Sequence, residues 1–181
     1  MENKMKKRIF ALILVVLSVL LMFSCRPKDN GGNGGKTANV IFSAEVEVNI
    51  VKSAAEKDEK TVGALESLAN TIAGRTAKRP MIVDDGYFEL DHEIVVGDTV
   101  RDISAKAKAK LNSAIRNGDP EKLGEGDRYV GYAVYSSGTS VAIVWSDSVL
   151  AVEAIEYFIE EFVVSDSLTL SDGYIKTQQG P

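Results

Sequence analysis

The chain has 181 residues, 45% of them hydrophobic and 26% charged, with a formal net charge of −5 at pH 7. These proportions describe one folded domain of ordinary size and exclude both a disordered chain and a multi-span membrane protein. The acidic balance also sets nucleic acid aside as a partner, because phosphates call for clustered Lys and Arg.

Lys4, Lys6, Lys7 and Arg8 precede an apolar run over residues 9–22, which ends in Phe23-Ser24-Cys25. A run of roughly fourteen residues behind a basic start fits the hydrophobic region of an export signal and falls short of the ~20 needed to span a bilayer. Cys25 is the only cysteine and has no disulfide partner within the chain. Its place directly after a small residue resembles the bacterial lipoprotein signal, where the cysteine takes a diacylglycerol and becomes the first mature residue. The resemblance implies a signal peptide over residues 1–25, lipid attachment at Cys25 and anchoring on the outer face of a bacterial membrane. Loss of the segment before Cys25 removes four basic residues and Glu2, which moves the formal charge to about −8. Residues 26–38 include RPKDNGGNGGK, too polar and glycine-rich to pack, and read as a tether.

The folded part is expected over residues 39–175. Residues 39–52 alternate around Ala44-Glu45-Val46-Glu47-Val48-Asn49-Ile50, a period of two that predicts one strand with a buried face. Val62, Leu65, Leu68, Ala69 and Ile72 fall three or four apart and predict a helix over about 60–73, with Gly74 at its C-terminal cap and a capping-box spacing in Ser53 and Glu56. Met81-Ile82-Val83 reads as a short strand closed by Asp84-Asp85-Gly86, and residues 93–96 as another strand. Ile103, Ala107, Leu111 and Ile115 then predict a helix over about 100–117, ended by Asn117-Gly118-Asp119-Pro120. Residues 128–136 and 141–145 are β-rich runs joined by Ser137-Gly138-Thr139-Ser140, a hairpin signal. Val152, Ile155, Phe158, Ile159 and Phe162 form the stripe of a last helix over about 149–163, and residues 176–181 read as a tail or the start of a linker. Strands alternating with helices need a shared sheet, so the expected fold is α+β or α/β, a single mixed sheet with about three helices packed on a face.

The turn Gly97-Asp98-Thr99-Val100-Arg101-Asp102 joins a strand to a helix, the place where a phosphate can meet backbone N–H groups. Neither the further glycines of a dinucleotide motif nor the Gly-Lys-Ser/Thr of a phosphate loop follows, so no cofactor is called for. Thr99 and Asp102 instead have capping-box spacing. His92 is the only histidine, which excludes a metal site built on several imidazoles, and it reads as an exposed edge residue. Asp84, Asp85, Glu89, Asp91 and Glu93 lack the spacing of a calcium loop and read as a solvated turn, so no metal is expected. Glu153, Glu156, Glu160 and Glu161 have the spacing of a solvent face rather than of a catalytic acid pair. Of Tyr129, Tyr132, Tyr135 and Trp145 on the hairpin, a strand puts Tyr129 and Tyr135 on one face and Tyr132 on the other, which favours packing over a sugar-stacking platform. The binding or interface candidates are Asp98, Thr99, Arg101 and Trp145; no catalytic residue is assigned.

Taken in order, several segments resemble the small α/β domain that precedes the catalytic barrel in family 20 hexosaminidases and α-glucuronidases. They are Glu93-Ile94-Val95-Val96-Gly97, Thr99 and Arg101 in the turn, the hairpin over 129–144, and Ala151-Val152-Glu153-Ala154-Ile155-Glu156-Tyr157-Phe158. Asp102 stands where that family commonly has a proline, and Ile103 where it commonly has an acid. The resemblance implies an accessory fold without catalytic residues, working beside a carbohydrate-active catalytic domain. The alternative is a free-standing surface lipoprotein that binds a glycan or a protein.

Overall fold

A computed structural model describes residues 37–117 and 129–180. The signal, Cys25, most of the tether, Gly118-Asp119-Pro120 and Arg128 lie outside the described residues. The elements run β1 (Ala38–Phe42), β2 (Asn49–Lys52), α1 (Glu59–Thr76), β3 (Ile82–Asp84), β4 (Glu93–Val96), α2 (Asp102–Arg116), β5 (Val130–Ser137), β6 (Ser140–Trp145), a 3-10 turn (Ser148–Leu150), α3 (Ala151–Phe162), β7 (Leu168–Ser171) and β8 (Ile175–Gly180). Six strands form one mixed sheet in the order β3-β2-β4-β6-β5-β8, while β1 and β7 pair antiparallel in a sheet of their own. The fold is α+β, with β3, β2, β4 and β6 parallel and β5 and β8 joined to them by antiparallel ladders.

The helices cover both faces of the sheet rather than one. Ile50, Ile94, Val96, Val134, Val141 and Ile143 point into a core shared with α1 and α3, whereas Val51, Val95, Ala133, Ala142 and Val144 point to α2. Successive side chains alternate faces in a strand, and both faces here are buried, so the central strands read as continuous β-branched runs. The α2 face is lined by small residues, Ala133 and Ala142 on the sheet and Ala107 on the helix, which lets this helix lie close to the strands. Leu111 of α2 is fully buried there.

Several boundaries differ from the sequence expectation, each for a local reason. Residues 39–52 form two strands in different sheets, because Ser43 breaks the run: its Oγ accepts from the amides of Glu45 and Val46, and its own N–H donates to the Val46 carbonyl. The strongest alternation therefore falls mostly in the turn between the strands. Helix α1 is capped by Asp58, not Ser53; Asp58 Oδ2 accepts from the Thr61 amide at 2.8 Å. That bond, with a second from the Thr61 hydroxyl, holds the Asp58 carboxyl below its ordinary value.

The same helix passes through Gly74 and ends on Ala77, which takes a left-handed φ of 60°. Thr76 fixes this ending, since its Oγ1 donates to the Ile72 carbonyl and accepts from the Lys78 amide, and Pro80 soon bars continuation. Residues 168–180, in part assigned above to a tail or linker, form β7 and β8; β8 completes the sheet edge beside β5. The turn before β8 is tied to the β5–β6 hairpin by Asp172, which accepts from the Gly138 amide, and by the buried Ser136 hydroxyl, which donates to the Ser171 carbonyl.

A left-handed conformation is unfavourable for alanine and free for glycine. Ala77→Gly is therefore expected to stabilise the domain by about 0.5–1 kcal/mol, the smaller part of the gain being lost to the extra freedom of glycine in the unfolded chain. Urea unfolding at constant m-value measures it.

Candidate functional site

The carboxyl ends of β3, β2 and β4 lie side by side, and the turn 97–102 leaves from the end of β4. The helix after β2 packs on one face of the sheet and the helix after β4 on the other. In open α/β sheets that divergence opens the crevice where ligands bind. Here a side chain of the protein bridges it. Asp85, 8% exposed, accepts from the Ala54 amide with Oδ1 at 3.0 Å and from the Val100 amide with Oδ2 at 3.1 Å, while its own amide donates to the Lys52 carbonyl. Its carboxylate takes the place an anionic ligand would take, tying the loop after β2 to the turn after β4.

Arg101 closes the site from the other side. Its guanidinium holds Glu93 with two parallel bonds, Nε to Oε2 at 3.0 Å and Nη2 to Oε1 at 3.1 Å, and both side chains are buried. Nη1 donates to the Asp85 carbonyl, and Nη2 also to the carbonyls of Tyr87 and Phe88. Glu93 Oε1 further accepts from the Leu90 amide. A buried charge is stable only when paired and hydrogen-bonded in this manner. Arg101 thus braces the loop between β3 and β4 and offers none of its three nitrogens as an unoccupied ligand. Asp85 and Glu93 are buried members of this network, not parts of a solvated turn.

The Thr99–Asp102 capping box does not form. Arg101 is the residue before α2 and its side chain makes no cap. Thr99 Oγ1 accepts from the Arg101 amide, and Ser104 does the tying: its hydroxyl donates to the Gly97 carbonyl at 2.7 Å and accepts from the Thr99 amide. Asp102 is the first helical residue, a position that suits an acid through the helix dipole as it suits a proline through its fixed φ. Ile103, where an acid is common, packs in the α2 core. Asp98 is exposed and pairs with Lys108 at 2.5 Å.

Trp145 also joins this region. It ends β6, beside β4, and its ring lies over Gly97, where a Cβ would come within 3.1 Å of the ring carbons. Gly97 has φ +81°, so both the turn and the ring need a residue without a side chain. Trp145 and Tyr132 are cross-strand partners on the α3 face, so the tyrosines do not form one platform. Tyr132 packs against Tyr157 with ring centroids 5.4 Å apart, and Tyr135 packs on the α2 side.

His92 stands before β4, an inner strand rather than an edge. Its carbonyl accepts from the Asn49 amide, its ring is half-buried, and Nδ1 is buried without a hydrogen-bond partner among the described residues. Glu153, Glu156, Glu160 and Glu161 are exposed along α3. Among the described residues, no three His, Cys, Asp or Glu converge as metal ligands, and no helix is long and apolar enough to cross a membrane.

The sequence did not single out Glu93 as the partner of Arg101, nor Asp85 as the bridge. The only local signal was their density of charge next to strand β4, in the run DDGYFELDHE. Of the four candidates, the fold brings Thr99 and Arg101 into one network and Trp145 against Gly97, and it leaves Asp98 at the surface.

Comparison with known proteins gives little company. No family model matches the chain, and no curated protein matches it. Among solved structures, CpGH84D is similar with a TM-score of 0.45 and 14% sequence identity over 83% of this chain. The chain spans 24% of the length of that protein.

Removal of one partner of a buried ion pair strands the other, at a cost of about 3–5 kcal/mol. Arg101→Met is expected to destabilise the domain by that amount, and Arg101→Met with Glu93→Leu by clearly less; a double-mutant cycle in urea measures the coupling. Gly97→Ala, which meets both strain and the Trp145 ring, is expected to lose about 1–3 kcal/mol in the same assay.

Burial first, and then the charge of Glu153, push the Tyr132 hydroxyl up to about 12. In the unfolded chain it ionises near 10.0. The contribution of the neutral hydroxyl is complete below pH 10 and is lost as the pH rises from there towards about 12. Stability is expected to fall over that window, and less steeply in Tyr132→Phe, as read from unfolding midpoints beside the tyrosinate absorbance.

Proposed function

We propose that the protein is a non-catalytic accessory module of carbohydrate-processing proteins, exported and held by a lipid at Cys25 on the outer face of a bacterial membrane. The observation that carries this reading is the Arg101 network. The residues on which the resemblance to the hexosaminidase accessory domain rests, Glu93, Gly97, Thr99 and Arg101, are joined in one structural task. Glu93 and Arg101 brace the loop before β4, Gly97 admits the turn under Trp145, and Thr99 sets the approach to α2. A motif of this kind marks a fold and its stability rather than a reaction centre. Its neighbours Asp85 and Glu93, which a hydrolase would need as free acids, are held by backbone amides and by arginine.

In this reading the mixed sheet serves as a rigid body between the membrane anchor and a carbohydrate-active partner domain. The polar tether over residues 26–38 gives it reach.

The purified protein is expected to release no nitrophenol from a panel of aryl hexosaminides, glucosides and glucuronides. Turnover that disappears in His92→Ala would replace the accessory reading with a hydrolase. In the producing bacterium, Cys25→Ser is expected to move the protein from the membrane fraction to the soluble fraction and to abolish labelling by radioactive palmitate. Unchanged labelling removes the lipid anchor from the proposal.

A further inference from the structure

The six-stranded sheet ends on one side at β3 and on the other at β8. Strand β3 has three residues and closes on Asp84, with Asp85 directly after it, so it offers little to a further strand. Strand β8 has six residues, holds no proline and no acid, and pairs with β5 without a bulge from Tyr135↔Ile175 to Val130↔Gly180. Long regular edges are ordinarily blunted, because their unpaired backbone groups invite another strand. Among the described residues, no strand pairs with the outer side of β8.

The Tyr174 carbonyl accepts from the Ser136 amide, so the backbone groups of alternate residues from there, Lys176, Gln178 and Gly180, face β5. Those of Ile175, Thr177 and Gln179 face outward. Side chains divide between the two faces of the sheet with the same period. Lys176 lies opposite Val134 and Gln178 opposite Tyr132, and both partners belong to the core shared with α1 and α3, so Lys176 and Gln178 stand on that face. There Gln178 lines a cleft of about 300 Å³ together with Glu153, Tyr132 and Leu150. Lys176 and Glu153 are both exposed, and Lys176 forms no ion pair among the described residues.

We propose that β8 is a docking edge for a second copy of this chain, the two β8 strands pairing antiparallel about a two-fold axis at Thr177. In that register Thr177 meets its own copy and Ile175 meets Gln179 on either side, so every outward amide and carbonyl of these residues finds a partner. The same register sets Lys176 of each copy opposite Gln178 of the other, on the face where Gln178 borders the cleft with Glu153. Two lysine–carboxylate contacts result, one on each side of the axis. An axis at Lys176 would set the two lysines against each other, which is unfavourable for directly opposed residues. An axis at Gln178 would set Ile175 against Pro181, which has no N–H to give. A lone lysine commonly guards an edge against indiscriminate pairing. Here a foreign strand would have to bring both a lysine and an acid at fixed places, whereas this chain carries the two at the spacing that the axis demands. The contact is narrow, so association is concentration-dependent rather than permanent. The dimer rests on the sheet edge alone and is independent of the accessory reading.

The test is sedimentation of the full chain in detergent over a range of concentrations. A monomer–dimer equilibrium is expected. Lys176→Glu and Glu153→Lys are each expected to weaken it tenfold or more at an unchanged thermal midpoint, because both side chains are exposed. The two exchanges combined in one chain are expected to restore it to within a few fold. Thr177→Cys with Cys25→Ser leaves a single thiol on the axis, where paired strands hold their Cα atoms about 5.5 Å apart, within disulfide range. Oxidation is expected to link that chain into a dimer and to leave Ser67→Cys with Cys25→Ser, whose thiol lies on the exposed side of α1, unlinked. A monomer at every concentration overturns the proposal, as does a dimer that Lys176→Glu leaves intact. Failure of the Thr177 position to link, or equal linking at Ser67, overturns it too. So does a combined exchange that stays monomeric, or a foreign protein held at this edge by a chain that does not pair with itself.

Discussion

The buried pair of Arg101 and Glu93 is the constraint on which the carboxyl-terminal edge of the sheet depends. Glu93 opens β4 and Arg101 directly precedes α2, so the pair ties the start of the strand to the start of the helix. Desolvation of two charges is unfavourable by itself, and it is offset here because the remaining bonding capacity is used: arginine by three backbone carbonyls, glutamate by the Leu90 amide. The loop between β3 and β4 has no regular structure to hold it. It takes its shape from that arginine.

Asp85 complements this brace on the opposite side. A parallel sheet whose helices diverge leaves a crevice with unpaired amides at the strand ends, and proteins commonly fill it with a ligand. This one fills it with its own carboxylate, which satisfies the amides of Ala54 and Val100. The usual place for chemistry is thereby turned into a joint.

How far this was legible in the sequence depended on the range of the interactions. The stripe of α3 and the hairpin of β5 and β6 rest on neighbours within a few residues, and their periods appear directly in the chain. Strand β8 was hidden because it is an edge strand without an apolar face, recognisable only by its ladder to β5. The split between β1 and β2 was hidden by an alternation that continues through the Ser43 turn. Ser53 and Thr99 both offered capping spacings, but Asp58 caps α1 and no side chain caps α2, since several short polar side chains near a helix start compete and the fold selects the one with the right geometry.

The sequence by itself determined the three helices, the strands β3 to β6 and a class of α+β or α/β, because each follows from local periodicity and turn residues. Only the tertiary structure decided that helices cover both faces of the sheet. It also decided that Asp85 and Glu93 are interior, that Arg101 is a brace, and that Tyr87 and Phe88 stand in water. Those outcomes depend on which charged side chains and backbone groups meet at separations of 8 to 31 positions along the chain, and a one-dimensional pattern carries no record of that meeting.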